Sequence, residues 1–330
     1  MKVNFIIIAI FMVLLPGCRK SEGGNFSDRK NLSEYKNTDF LPTLESQIIK
    51  GNNSIYCSTL LLAWDLVRTE LNGDLKVDST DHDLFLLNKS NSFSNSLSKD
   101  EYSSTVNVRN GGIEVKVFFC KSLPFAEDLD DQGDALTFNN SKVRSFGTHG
   151  ENSQVEILYY KNDSDFVVKL QTKDKSNELL LCNVDMEFQT LIQAIQSVDL
   201  KMQQGINERF DDSYKGNYSL NNDDLLIIPK LEFNIETNYP SMESKIVHNN
   251  INEFLVKKVY QRNAFKLNER GAEIESEAKV TLISLSIEDE PNLKPKNLIF
   301  NKPFLLILRK PAAEYPYFAM WISNDELMIK

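Results

Sequence analysis

Three histidines, His82, His149 and His248, and four cysteines, Cys18, Cys57, Cys120 and Cys182, are the residues of this sequence best suited to metal binding or nucleophilic chemistry. Their spacing supports neither. The histidines stand far apart in polar surroundings, and no His-x-x-x-His or Cys-x-x-Cys pair occurs, so no metal site is expected. Cys120 in "KVFFCKS" and Cys182 in "ELLLCNV" lie in apolar runs and read as buried, inert thiols. The acids of "AEDLDDQGD", 126–134, lack the regular ligand ladder of a calcium loop and read as a solvated loop. No G-x-S-x-G elbow, phosphate-cradling glycine loop or dinucleotide fingerprint is present, so neither an enzyme nor a cofactor is expected. One stretch has a spacing with a physical consequence: "NERGAEIESEAKV", 268–280, alternates charged with small or apolar residues directly after a glycine. Period two belongs to a strand with one buried face, although Ala and Glu favour helix. Counting from Gly271, Ala272, Ile274, Ser276, Ala278 and Val280 form the inner face, with Glu273, Glu275, Glu277 and Lys279 outward. A one-residue slip would bury the three carboxylates and the ammonium, each at a cost of several kcal/mol, so the pattern specifies its own register.

The elements that must position such a strand are sheet-rich. "SIYCSTLLLAWDLVRTELNG", 54–73, opens extended and then carries Leu60, Leu61, Trp64, Val67, Arg68 and Leu71 at helical spacing, with Asn72-Gly73 as its stop. Residues 74–112 are weakly patterned, with one strand in "YSSTVNV". "IEVKVFF", 113–119, alternates into an apolar end that suits a strand inside a large sheet. Strands follow at "QVEILYYK", "DFVVKLQT" and "NELLLCNV", then a helix at 188–198. "DDLLIIPKLEFNIETNY" reads as two strands meeting at Pro229, and the C-terminus is again strand-rich. The expected fold class is α+β, dominated by sheet.

Composition is globular, with 41% hydrophobic and 25% charged residues, and the net charge of -10 argues against nucleic acid and against electrostatic attraction to anionic lipid. Lys257-Lys258 reads as a solvated edge. Lys2 followed by the apolar run from Phe5 to Leu15 reads as an export signal. Its end, Leu15-Pro16-Gly17-Cys18, resembles a bacterial lipoprotein signal, with Pro16 where a small residue is usual. The resemblance implies a signal peptide over 1–17, lipidation at Cys18, and a cell-envelope protein held on a bacterial outer membrane or cell surface. A flexible tether over 18–40 and a single domain over 41–330 are then expected. With Cys18 acylated, Cys57, Cys120 and Cys182 cannot all pair within one chain.

Read as a string, several segments resemble the serpin family. "VYQRNAFKLNERGAE", 259–273, resembles the strand that enters the serpin reactive-centre loop and its hinge, and "FNKPF", 300–304, resembles the segment after that loop. "LLIIPKLEFNIETNY", "VFFCKSLPFAEDLDDQGDALTFNNSKV", "SIYCSTLLLAWDLV" and "LLILRKPAAEYPYFAMWIS" are similar to further serpin segments in the right order. The resemblance implies a large mixed sheet, a second antiparallel sheet or barrel, a reduced helical cluster, and a reactive-centre-type loop that is exposed or inserted. Departures concern the buried polar cluster beneath the large sheet: Ser58 fits, but Leu61 and Ala63 stand where serines are expected, Gln261 replaces a histidine and Val115 an asparagine.

By this resemblance, the function expected is inhibition of a serine or cysteine protease through cleavage of the loop and insertion of the freed strand. The hinge and inserting strand would be Glu269, Gly271, Ala272, Glu273, Ile274, Ser276, Ala278 and Val280. Family spacing places the cleaved bond at Leu285-Ser286, which suits a protease accepting a large apolar residue, and the inhibitor would act as a monomer. The alternative is a non-inhibitory serpin-fold lipoprotein that binds a partner or ligand at the cell envelope.

Overall fold

The computed structural model describes residues 26–330 except 72, 74, 110–111, 185–186, 215 and 273–293. Strands β1 (Lys30–Asn31), β2 (Thr38–Leu41) and β3 (Asn53–Cys57) lead into helix α1 (Thr59–Glu70). Next come β4 (Lys76–Val77), helix α2 (His82–Lys89), β5 (Tyr102–Arg109), β6 (Gly112–Phe119), β7 (Leu123–Pro124), β8 (Asp130–Phe138) and β9 (Ser141–His149). Strands β10 (Val155–Asn162), β11 (Asp165–Leu170) and β12 (Glu178–Asn183) precede helix α3 (Leu191–Glu208). The rest is strand: β13 (Leu225–Pro229), β14 (Leu231–Asn238), β15 (Ile246–His248), β16 (Glu253–Leu255), β17 (Tyr260–Asn268), β18 (Gly271–Ala272), β19 (Asn297–Ile299), β20 (Phe304–Arg309) and β21 (Phe318–Ile322).

These build a mixed α+β fold. The largest sheet has seven strands in the order β10-β11-β12-β20-β21-β3-β2, antiparallel except for the β2/β3 pair. Its middle strands are apolar on both faces, and all six residues of β20 are buried, as expected of strands covered on each side. A five-stranded sheet runs β1-β14-β17-β18-β7, and a four-stranded one runs β19-β13-β9-β8. β5 and β6 pair only with each other among the described residues, so β6 is a strand as expected but not an interior strand of a large sheet. Its odd-numbered residues from Ile113 to Phe119 turn inward, half-buried, over α1, while Glu114, Lys116 and Phe118 face out.

Helix α1 buries Leu60, Leu61, Leu62 and Trp64, and the Trp64 indole donates to Asn88 Oδ1 within the weakly patterned region, tying down α2. Helix α3 starts at the Thr190 cap and runs well beyond the expected 198. It continues because Gly205 lets it lie directly on β10, where a Cβ would meet the Leu158 carbonyl oxygen at 1.9 Å.

The tether expected over 18–40 is folded from Ser27 onward. Asn31 and Glu34 form a reciprocal capping box, β1 adds to β14, and Glu326 accepts from the backbone of Lys36 and Asn37 and from the Thr38 hydroxyl. Such carboxylate contacts to otherwise orphaned N–H groups order a polar segment that lacks aliphatic side chains. No helix among the described residues is long and apolar enough to cross a membrane.

Candidate functional site

The stretch that stood out by its alternation begins as the turn of a tight hairpin. Asn268 Oδ1 accepts from the Arg270 amide, and the chain reverses so that Asn268 pairs with Gly271 and Leu267 with Ala272. β18 lies between β17 and β7, with Gly271 opposite Pro124 and Ala272 opposite Leu123. Gly271 has φ +120°, and a Cβ there would meet the Leu123 carbonyl oxygen at 2.4 Å and the Phe125 nitrogen at 2.8 Å. Only glycine fits both the backbone angle and the approach of β7. The turn carbonyls are satisfied as well: Phe125 N donates to Arg270 O and Leu129 N to Glu269 O.

Charge fixes the same turn. Lys230, buried where β13 gives way to β14, places Nζ 2.6 Å from Glu269 Oε2 and 3.0 Å from Asp131 Oδ2, and Arg144 reaches Asp131 at 3.0 Å. Burial works against the Glu269 charge, but Lys230 outweighs it and holds the carboxyl below its usual range. The Gly133 amide and then Lys230 do the same for Asp131. Asp131 therefore belongs to strand β8 and to an ion-pair cluster, which corrects the expectation of a solvated loop over 126–134. Sequence reasoning named Glu269 but missed Lys230 and Asp131; the Pro229-Lys230 break between two apolar strands was the available signal.

Below Ala272 a cleft of 2680 Å³ opens between β6 and β17, with α1 and residues 253–259 as its other walls. From Tyr260 to Lys266, β17 has β14 on one side and no described strand on the other. β6 likewise has only β5. Two strand edges thus face a common slot, and β18 stands at its head.

The floor of the slot carries a buried polar network. Gln261 accepts from the Tyr239 hydroxyl at 2.6 Å and donates to Cys57 O and Thr59 Oγ1, each at 3.2 Å. Burial pushes the Tyr239 hydroxyl well up. The buried Ser58 hydroxyl and Asn263 amide nitrogen have no hydrogen-bond partner among the described residues. Cys57 and Cys182 are buried and their thiols are pushed up by burial, whereas Cys120 is only half-buried on the slot wall.

The far end of the segment is anchored in another sheet. Buried Lys296 pairs with buried Asp224 at 2.6 Å and donates to Gly216 O, while Asn297 N donates to Asp163 Oδ1. β19 then pairs in parallel with β13. Of the expected site residues, Glu269, Gly271 and Ala272 are brought together here. Glu273, Ile274, Ser276, Ala278, Val280, the Leu285-Ser286 bond and Cys18 lie outside the described residues.

The fold and site define a mixed α+β protein with a cleft between two strand edges that have no partner strand among the described residues, and a hairpin at its head. Solved structures similar to it include thyroxine-binding globulin in complex with thyroxine, at TM-score 0.37 and 9% identity over 64% of this chain and 56% of that one. Mouse protein-Z dependent protease inhibitor is similar at TM-score 0.39 and 13% identity, over 64% of this chain and 54% of that one. The chain thus spans little more than half the length of each. No protein-family model matches the sequence, and no curated protein does.

Proposed function

We propose that the chain is a serpin-like inhibitor of a serine or cysteine protease, cleaved in the segment after Ala272 and completed by insertion of the freed strand between β17 and β6. The observation that carries this reading is the slot, flanked by two strand edges with no partner strand among the described residues and headed by β18. Unpaired edges of this kind accept an added strand through main-chain hydrogen bonds.

Register adds chemical support. Continuing the Leu267/Ala272 pairing sets Ile274 opposite Phe265, Ser276 opposite Asn263 and Ala278 opposite Gln261, all inward positions of β17. The same count sets Glu273 opposite Lys266 and Glu277 opposite Arg262 on the outward face. An inserted strand would then offer Ser276 to the unpartnered Asn263 amide and alternate its acids against bases. In this reading Leu285 selects a protease that takes a large apolar residue, Cys18 carries the lipid anchor, and the protein works at the cell envelope.

A second reading, a non-inhibitory binder of a ligand or partner, is favoured by the floor of the slot, where Gln261, Tyr239 and Thr59 form a network unlike the one the resemblance implies. Mixing the protein with chymotrypsin-like and papain-like proteases separates the two. A covalent complex stable in denaturing electrophoresis supports inhibition. Cleavage near Leu285 without a complex rejects it, and cleavage without a rise in unfolding temperature rejects insertion itself.

A further inference from the structure

The sequence places Lys257-Lys258 on a solvated edge, but the structure surrounds that edge with exposed apolar side chains. Leu255 on β16 and Ile246 on β15 are direct cross-strand partners and remain 64% and 47% exposed. Ile251, at the tip of the same hairpin, is 86% exposed because Asn249 folds the turn by accepting from the Ile251 and Asn252 amides. Past Leu255 the chain exposes Lys257 and Lys258, then Tyr260, whose ring carries Lys258 Nζ at 5.3 Å from its centroid. Aliphatic side chains beside lysines and a half-exposed tyrosine are the makeup of a surface at a lipid interface, where apolar bodies enter and charged tips stay in water. The acids on this side include Glu253, which faces His248, Glu236, which is already engaged, Glu243, which accepts from the Val259 amide, and Asp81, which pairs with Lys245.

What engages Glu236 identifies the occupant. Arg29 and Tyr260 meet on the same Glu236 oxygen, at 3.3 Å and 2.9 Å, and residues 26–29 share the cleft mouth with Leu255 to Tyr260. The N-terminal segment therefore leaves the described fold beside this surface. From Cys18 to Phe26 the chain reaches at most about 28 Å. That is about the radius of a domain of this size, so an anchor at Cys18 cannot let the opposite side of the molecule turn to the bilayer.

We infer that the Ile246, Leu255, Lys257, Lys258 and Tyr260 surface rests on the lipid bilayer that holds Cys18. The inference depends on the lipid anchor proposed above. Docking in this pose sets one mouth of the cleft against the membrane and fixes which side of the molecule meets a protease.

The lipidated full chain, reconstituted in vesicles of phosphatidylglycerol and phosphatidylcholine with or without brominated acyl chains, tests this with Leu255→Trp. The control is Phe210→Trp, an exposed position just beyond α3, which packs on β10. Relative to the unsubstituted chain, the tryptophan at 255 is expected to lose about half of its added emission to bromine, as for a side chain at the headgroup and acyl boundary, and the one at 210 to lose none. Failure of the unsubstituted chain to float with vesicles overturns the anchor and this inference with it. Flotation with no quenching at 255, or with equal quenching at both positions, overturns this inference alone.

Discussion

Replacing Glu269 by glutamine isolates the ion pair that holds the turn between β17 and β18. Lys230 Nζ is buried, 2.6 Å from Glu269 and 3.0 Å from Asp131, and the substitution removes one of its two counterions while keeping a side chain of the same shape. Breaking a fully buried pair costs about 3–5 kcal/mol. Asp131 remains, glutamine still accepts a hydrogen bond, and water reaches Glu269, so the expected loss is about 1–2 kcal/mol. At about 2.1 cal/mol/K of unfolding entropy per residue, this lowers the unfolding temperature by about 2–3 °C at neutral pH. Acid supplies the internal control. The folded Glu269 carboxyl lies below its ordinary value of 4.5, so its contribution is present above that pH and is lost as pH falls through the depressed value. Thermal unfolding followed by circular dichroism should therefore show the variant and the parent converging as pH drops below 4.5. Equal unfolding temperatures at neutral pH, or a gap that survives unchanged in strong acid, would refute the assignment of this pair.

Three further outcomes follow from the same geometry. Gly271→Ala forces a Cβ onto the Leu123 carbonyl at a φ that side chains avoid, and should cost about 3 kcal/mol or more, read as a fall in denaturant midpoint; a neutral result would mean that β18 does not lie against β7. Lys266→Glu with Arg262→Glu should shrink the stability gained on loop cleavage by about 1–2 kcal/mol, since the proposed register sets like charges opposite each other; an undiminished gain would reject that register. Glu101 is opposed by burial but pulled down to about 2 by Lys121 and Lys310, so the parent should lose stability between pH 4.5 and about 2 and Glu101→Gln should lose less over that window; parallel curves would show that the contacts are not made.

The strands were most legible where both faces are covered. β12 and β20 appear in the sequence as continuous apolar runs, β11 as a shorter one interrupted by Lys169, and Pro229 marks the break between β13 and β14. Helix α2 escaped notice because its two buried residues, Leu84 and Leu87, sit beside a serine- and asparagine-rich segment that hides so short a pattern. The second half of α3 escaped because 199–208 is mostly polar, and Gly205, the residue that permits close packing on β10, carries no apolar side chain to mark the buried face. β6 was readable as a strand from its alternation, but alternation reports which face is covered and not which strand lies alongside. At the site, Gly271 was visible for the same local reason. Lys230 and Tyr239 were not, because each is defined by partners distant in sequence, and only the folded chain brings them to Glu269 and Gln261.

The short strand β1 bears on how the protein behaves in a crowd. Its two residues cover Ile235 and Glu236 on the outer edge of β14. A bare edge there would be a template for the same strand of a neighbouring molecule. The segment that opens the described fold thus doubles as a guard against edge-to-edge self-association. A chain trimmed through Asn31 should sediment as larger species than the intact one, and a trimmed chain that stays monomeric would show that β14 protects its own edge.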